Sequence, residues 1–206
     1  MKRPKTKAAY WSKLKKKAPK VPDITCPAID KVLNKLEKRI DRDLTMAQFK
    51  MIERQMEKLR NANEKFDHKI SFLNEMKQYF LKDKTTNKIL VGDLNIAPLE
   101  HDVWSHKQLL NVVSHTPIET DTLLGIIQSG EWADVMREIV PSSEKLYSWW
   151  SYRNRNWEVS NRGRRLDHFW VSKKLFSQVK SGVIYKDTRA WERPSDHVPI
   201  IVDIDI

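Results

Sequence analysis

Residues 89–95 read ILVGDLN, a short apolar run that ends in a glycine, a carboxylate and an amide. The apolar, β-branched residues predict a buried strand over Ile89–Gly92. Asp93 and Asn95 follow two residues apart, so both side chains can face the same side of the chain. Polar side chains just past a strand end commonly build the pocket of an α/β scaffold. Asp and Asn are also frequent turn formers, so this stretch by itself does not separate a site from a turn.

A second stretch of this kind lies near the C-terminus. Residues 193–199 read RPSDHVP and precede an apolar run, 200–204, that predicts a last strand. This stretch places the carboxylate of Asp196 beside the imidazole of His197, and Asp167 stands at the start of another predicted strand. Asp, Asn and His are the residue types that hold a metal, orient a water and contact a phosphate. Polar side chains at several strand ends of one short region favour a catalytic site.

The positive charge of the chain is concentrated at one end. The chain has 206 residues and a formal net charge of +11, and residues 1–22 contain nine basic residues and no acid. Residues 63–206 contain equal numbers of acids and bases. A basic segment of this kind favours an anionic partner such as nucleic acid, or is a solvated arm without a partner. The sequence leaves both readings open.

Several classes of protein are excluded by composition. A single cysteine, Cys26, excludes an internal disulfide framework and fits a reducing compartment. No apolar run approaches the roughly 20 residues that span a bilayer. The N-terminus is charged but lacks the apolar segment of a secretory signal. We therefore expect a cytoplasmic protein that does not bind membranes.

The chain divides into three predicted segments. Residues 1–24 read as a basic, disordered tail, 25–62 as a helical hairpin or coiled-coil arm, and 63–206 as an α/β domain. Thr45 and Gln48 have the spacing of a capping box and predict a helix start. Within the third segment the pattern predicts helices over 70–80, 120–128 and 132–139, a turn from 173, and strands over 89–92, 147–153, 166–172, 183–187 and 198–204.

Aromatic and arginine residues are interspersed within residues 149–165 of the third segment. Arginine binds phosphate bidentately and aromatic rings stack on bases, so this pattern favours a surface that faces nucleic acid. We expect Trp150 and Trp170 to belong to the core instead. The residues of the pattern are Trp149, Trp150, Tyr152, Arg153, Arg155, Trp157, Arg162, Arg164 and Arg165.

Four motifs together resemble the exonuclease III family, and they occur in the order that the family has. They are ILVGDLNIAP (89–98), YSWWSYR (147–153), NRGRRLDH (161–168) and WERPSDHVP (191–199). The family comprises apurinic/apyrimidinic endonucleases within the endonuclease/exonuclease/phosphatase superfamily. The resemblance covers about residues 63–206. It implies an α/β fold, the C-terminal half of a four-layered α/β sandwich preceded by a helical arm. It also implies Mg²⁺- or Mn²⁺-dependent hydrolysis of duplex DNA at abasic or blocked 3′ sites, the activity of a DNA repair nuclease.

The resemblance also implies a role for individual residues. Asp93 matches the aspartate that aligns the attacking water or protonates the leaving oxygen, and Asn95 matches the asparagine that holds nucleophile and phosphate. His197 matches the histidine that contacts the scissile phosphate, and Asp167 matches the acid that pairs with it. Asp196 matches a carboxylate near the metal, so the implied metal ligands are Asp196 and Asp93, with His197 nearby. The predicted substrate-binding residues are Trp149, Tyr152, Arg153, Arg165 and Leu166.

One departure from the family concerns its N-terminal half. That half supplies the principal metal-binding Glu in a Gln-Glu motif, and residues 1–62 contain no Gln-Glu pair. We therefore expect the chain alone to be a poor nuclease with an uncovered sheet face. Such a face predicts self-association or a complementing chain. The alternative is a nucleic-acid-binding or non-catalytic remnant of a fused or truncated gene.

Overall fold

A computed structural model describes residues 24–40 and 44–205 of the chain. The predicted basic tail therefore lies outside the described residues, apart from Ile24. The helices are α1 (Pro27–Ile40), α2 (Met46–Lys82), α3 (His106–Leu109), α4 (Pro117–Ser129), α5 (Val135–Ile139), α6 (Trp157–Ser160) and α7 (Lys173–Phe176), with 3₁₀ turns at Glu100–Asp102 and Lys186–Ala190. The strands are β1 (Ile89–Asp93), β2 (Trp132–Asp134), β3 (Trp149–Trp150), β4 (Gly163–Arg164), β5 (Asp167–Ser172), β6 (Val179–Ile184) and β7 (Ile200–Ile204).

Helix α2 is much longer than predicted. It begins at the expected capping box, in which Thr45 and Gln48 each bond the other's backbone N–H. It then runs through the predicted boundary at residues 62 and 63 and contains the helix predicted over 70–80. No glycine or proline interrupts α2, and buried side chains along it maintain contact with other elements. One continuous helix therefore joins the predicted arm to the α/β region.

The two N-terminal helices pack through their apolar faces. Leu36 of α1 and Ile52 and Met56 of α2 form a small buried cluster. Farther along α2, Phe66 and Leu73 belong to a larger cluster with α4 and the sheet. The N-terminal part of α2 thus packs on α1, and its C-terminal part covers the sheet.

The main sheet has three antiparallel strands in the order β1-β5-β2. Strands β6 and β7 form a separate antiparallel pair, and β3 pairs with β4. Side chains of β5 alternate between two layers: Trp170 packs with α2 and α4, while Phe169 and Val171 pack with Val202 and other residues of the β6/β7 pair. The order of layers is helices, main sheet and β6/β7 pair, which agrees with the predicted α/β class.

The prediction that residues 89–92 form a buried strand is wrong about burial. Strand β1 lies at the edge of the sheet, where only Leu90 packs against the helical layer. Ile89 and Val91 point to the other face and are 45% and 60% exposed. The β6/β7 pair, which covers this face of the sheet elsewhere, packs on β2 and β5 and leaves β1 uncovered. An apolar edge therefore remains open in the described part of the chain, as expected for an uncovered sheet face.

Other differences from the predicted elements follow from strand pairing. Residues 132–139 were expected to be one helix, but Trp132–Asp134 pair with β5 and only Val135–Ile139 are helical. The strand predicted over 147–153 is limited to the two residues that pair with β4. Strand β6 begins earlier than predicted, since Val179 already pairs with Ile204. None of the helices in residues 24–40 and 44–205 has the length and hydropathy required to cross a lipid bilayer.

Candidate active site

Two predicted carboxylates meet where β1 ends and β5 begins. Asp93 and Asp167 are directly opposite each other in the antiparallel pair. Their position follows from local sequence, because each stands at the point where an apolar strand stops or starts. Cβ atoms of directly opposed residues lie about 5 Å apart, so the two acidic groups share one space.

His197 reaches the same space through a short extended segment before β7. The Trp150 N–H donates to the Asp196 carbonyl (2.9 Å), and the Val198 N–H donates to the Ser148 carbonyl (2.8 Å). The backbone on both sides of His197 is therefore fixed against β3. The imidazole projects toward Asp167 and Asp93.

The three side chains form a compact group. His197 Nδ1 lies 2.8 Å from Asp167 Oδ2, and His197 Nε2 lies 3.9 Å from Asp93 Oδ2. Ligand atoms of the three residues all lie within 4.8 Å of one another. The bond to Asp167 orients the ring and directs Nε2 toward the open side, as expected for a histidine that handles protons or contacts phosphate.

Ser148 is a member of this arrangement that sequence reasoning missed. Its buried hydroxyl donates to Asp167 Oδ2 (2.6 Å) and accepts the backbone N–H groups of Leu166 and Asp167, both at 3.0 Å. Ser148 therefore fixes both the carboxylate and the start of β5. The sequence offered a weak signal, a small polar residue directly before an aromatic pair.

Asn95 occupies a tight turn directly after Asp93. Its φ of 53° is in the left-handed region, which Asn tolerates better than most residues. The Asn95 N–H donates to Asp93 Oδ1 (2.8 Å), and the N–H groups of Leu94 and Asn95 both donate to the Leu166 carbonyl (3.1 and 3.2 Å). The turn ties the Asn95 backbone to the Asp93 carboxylate, and the Asn95 side chain is exposed.

Asp196 lies near the group but binds another residue. The Trp149 indole Nε1–H donates to Asp196 Oδ2 (3.0 Å). Within the described residues, Asp196 does not join the cluster of Asp93, Asp167 and His197. The geometry therefore favours Asp93 over Asp196 as a metal ligand.

The prediction that Arg165 binds substrate is wrong. Arg165 is 0% exposed, and its guanidinium bonds Asp102 through Nε and Nη2 and Asp134 through Nη1. Burial by itself raises the pKa of Asp102, but the charges of Arg165 and Arg137 outweigh it and hold that pKa below its usual value. Arg165 is thus a buried partner of two acids and cannot contact DNA.

Leu166 is a second correction. Its side chain is buried with Ala97, Val103 and Leu109, and half-buried Trp149 packs on the same cluster. Leu166 packs in the same cluster as Trp149 and is 4% exposed, which is too little for contact with substrate in this structure. Tyr152 and Arg153 are exposed, as substrate-binding residues must be, and the Tyr152 hydroxyl donates to the Pro194 carbonyl (2.8 Å).

His168, next to Asp167, points to the opposite face of the sheet, where it is buried and bonded on both ring nitrogens. Its Nε2 lies 2.8 Å from the Ile96 carbonyl, and its Nδ1 lies 3.2 Å from Arg165 Nη1. A carbonyl only accepts and a guanidinium only donates, so the ring is neutral with its proton on Nε2. Burial, together with the adjacent Arg165 charge, lowers the pKa of His168 to about 4.

The donor set of the cluster fits a hard divalent cation. Mg²⁺ and Mn²⁺ prefer carboxylate oxygens and are commonly held by one or two acids together with substrate phosphate. Asp93 is exposed and keeps Oδ2 directed toward the cluster, while its Oδ1 is fixed by the Asn95 N–H. Asp93 is therefore the principal candidate ligand, with Asp167 and His197 beside it.

Comparison with known proteins gives the family of the chain. A family model described as Endonuclease/Exonuclease/phosphatase family matches residues 72–197, more than half of the chain. The chain belongs to this family. Asp93, Asp167 and His197 all lie inside the matched residues.

Members of the Endonuclease/Exonuclease/phosphatase family that resemble the chain include bacterial and archaeal nucleases. Exodeoxyribonuclease III of Haemophilus influenzae is 34% identical over 66% of this chain and 53% of its own length. Exodeoxyribonuclease of Bacillus subtilis is 32% identical over 71% of this chain and 56% of its own length. The structure of an AP endonuclease from Archaeoglobus fulgidus superposes with a TM-score of 0.65 and 26% identity, over 69% of this chain and 56% of the other. The chain thus spans about half the length of the curated relatives it matches.

Proposed function

We propose that the chain is a metal-dependent nuclease of the exonuclease III type that hydrolyses phosphodiesters of duplex DNA at abasic or blocked 3′ sites. The observation that carries the proposal is the cluster of Asp93, Asp167 and His197, whose ligand atoms lie within 4.8 Å of one another. Relatives named for exodeoxyribonuclease and AP endonuclease activity support the substrate class.

The proposed roles follow from the contacts. Asp167 accepts the Nδ1 proton of His197, so Nε2 faces the space where a phosphate oxygen would lie. Asp93 is positioned to orient a water or to return a proton to the leaving oxygen. Asn95 would bind nucleophile or phosphate through its exposed amide. A divalent cation bound at Asp93 would neutralise charge that develops on the phosphate.

DNA would contact the cluster from the side that carries exposed aromatic and basic groups. Tyr152 and Arg153 are exposed in the loop after β3, and half-buried Trp149 connects that loop to Asp196. Arg162 is exposed and lies over the Trp104 ring at 4.8 Å. These groups suit a sugar-phosphate backbone and stacked bases.

The proposal is tested with purified chain in excess over a duplex that contains one abasic-site analogue. We expect Mg²⁺-dependent incision that EDTA abolishes. Asp93→Asn and His197→Ala should each lower the single-turnover rate by about two orders of magnitude or more. Lys65→Met changes an exposed helical residue and is the matched control. Incision at the wild-type rate in both site variants would exclude Asp93 and His197 from the reaction and would overturn the proposal.

The wild-type rate is expected to be low. The principal metal-binding Glu that the family resemblance implies has no counterpart in residues 1–62, and Asp93 would hold the ion with fewer carboxylates. The alternative function, nucleic-acid binding without cleavage, would give a retained complex in EDTA and intact DNA in Mg²⁺. The same experiment therefore distinguishes the two.

A further inference from the structure

Lys69 of α2 connects the helical layer to the turn that carries Asn95. Its Nζ donates to the Asn95 backbone carbonyl (2.9 Å) and to Glu119 Oε1 (2.6 Å). Lys69 lies three residues before the first residue that the family match covers. This bridge therefore links a segment outside the match to the centre of the candidate site.

Glu119 determines where the Lys69 ammonium lies. The Glu119 carboxylate is completely buried and accepts the N–H groups of Ser114 and Thr116 and the Thr116 hydroxyl. A buried carboxylate held by several donors has little freedom to move, and it requires a cation nearby to compensate for lost hydration. Lys69 provides that charge, with 19% of its side chain exposed.

The Asn95 carbonyl is the part of the turn that β5 does not hold. The Leu166 carbonyl fixes the N–H groups of Leu94 and Asn95, and Asp93 Oδ1 accepts the same Asn95 N–H. These bonds define one side of a turn whose φ at Asn95 is 53°. Lys69 bonds the opposite side of the turn through the Asn95 carbonyl (2.9 Å), and the next residue, Ile96, is buried in the core.

A small shift of the turn at Asn95, after loss of the bond from Lys69, would reach Asp93. Asp93 Oδ1 is bonded to the Asn95 N–H, so a shift of the turn changes the direction in which Oδ2 points. The Asn95 side chain would turn with its backbone. Residues that orient a metal ligand from behind commonly change metal affinity or activity by about 10- to 100-fold when they are removed.

We infer that Lys69 is a positioning residue for the candidate site, which acts by fixing the Asn95 carbonyl while Glu119 fixes Lys69. The expected effect of Lys69 on metal binding at Asp93 rests on the proposed function. Its structural part, the orientation of residues 93–96, is independent of whether the chain cleaves DNA.

The test compares Lys69→Met, Lys69→Arg and the matched control Lys65→Met. Lys65 lies one turn earlier on the same helix and is exposed. Mn²⁺ affinity is measured by water proton relaxation, and backbone amide shifts are recorded by ¹H–¹⁵N NMR. We expect Lys69→Met to weaken Mn²⁺ binding by about tenfold or more and to shift the amides of Leu94, Asn95 and Ile96. Lys69→Arg should recover most of both effects, and Lys65→Met should match the wild type.

Two results would overturn the inference. One is a folded Lys69→Met protein with wild-type Mn²⁺ affinity and unchanged amide shifts at 94–96. The other is an equal loss in Lys65→Met, which would indicate a general effect of helix charge. If Lys69→Met does not fold, Lys69→Gln retains an N–H donor without the charge and carries the same comparison. A wild-type chain that binds no Mn²⁺ would refute the proposed function, while the amide shifts would still test the positioning role.

Discussion

Asp93 and Asp167 are paired directly across β1 and β5, so two carboxylates face each other at the end of an antiparallel pair. Like charges in this position destabilise a sheet. The imidazole of His197 lies between them, 2.8 Å from Asp167 and 3.9 Å from Asp93. Charge oppositions of this kind, which lower fold stability, are common at sites that bind ligands or react.

The first prediction follows from this opposition. Asp93→Asn removes one of the two facing charges and retains an oxygen that can accept the Asn95 N–H. We expect the free energy of unfolding at low salt and neutral pH to rise by about 0.2–1 kcal/mol, while Mn²⁺ affinity falls sharply. Urea unfolding and metal titration on the same samples measure both quantities. A variant that loses stability and retains full metal affinity would contradict the prediction.

Ser148 provides the second prediction. Ser148→Ala leaves two buried backbone N–H groups, those of Leu166 and Asp167, without an acceptor and removes the donor to the Asp167 carboxylate. We expect a loss of about 1–3 kcal/mol in unfolding free energy and a lower incision rate. Ser71→Ala, at an exposed position of α2, should remain within about 0.5 kcal/mol of wild type. Equal stabilities of the two variants would show that the Ser148 contacts contribute little.

The third prediction separates two arginines, Arg153 and Arg165, that were both predicted to bind substrate. Arg165→Met leaves buried Asp102 and Asp134 short of a cation and should cost about 3–5 kcal/mol. Arg153→Met, at an exposed position, should leave stability nearly unchanged and reduce the salt slope of DNA binding by about one. Chemical denaturation measures the unfolding free energy, and DNA binding at several salt concentrations measures the salt slope. A reduced salt slope in folded Arg165→Met, with Arg153→Met unaffected, would reverse the assignment.

The fourth prediction concerns acid stability. The pKa of His168 is lowered to about 4 in the folded chain by burial and by Arg165, and the ordinary value is 6.5. The unfolded chain therefore binds a proton between these pH values that the folded chain does not bind. Stability from this residue is complete above pH 6.5 and is lost as the pH falls toward 4, by roughly 3 kcal/mol in total.

His168→Gln tests this prediction, because glutamine retains an N–H donor but does not titrate. The variant should show a smaller decrease in unfolding free energy between pH 6.5 and 4 than the wild type. Part of the decrease should remain, since burial also lowers the pKa of His115. A variant with the same pH dependence as wild type would exclude His168 as its source.

The fifth prediction concerns the basic N-terminus. Residues 1–22 contain nine lysines and arginines and no acid. If most of them reach phosphates, deletion of this segment should change the salt slope of DNA binding by several units, since each neutralised phosphate contributes about 0.9. Fluorescence anisotropy at increasing salt measures the slope. An unchanged slope would show that the segment does not bind DNA.

The sequence by itself determined the elements in which local signals agree. The Thr45–Gln48 capping box, the strand that ends at Asp93 and the strand that begins at Asp167 all appear where the pattern places them. The family follows from motifs of several residues each, which occur in a fixed order. These features depend on neighbours along the chain, and a sequence shows neighbours directly.

Only the tertiary structure decided which polar side chains are exposed and which are paired. Arg153 and Arg165 were both predicted to bind substrate, yet Arg165 is buried because Asp102 and Asp134 meet it from distant segments. Ser148 and Lys69 act on the site through contacts with residues 19 and 26 positions away. The burial of β1 likewise depended on whether the β6/β7 pair reached the sheet edge. Burial and pairing are properties of packed layers, and local periodicity does not contain the distances between those layers.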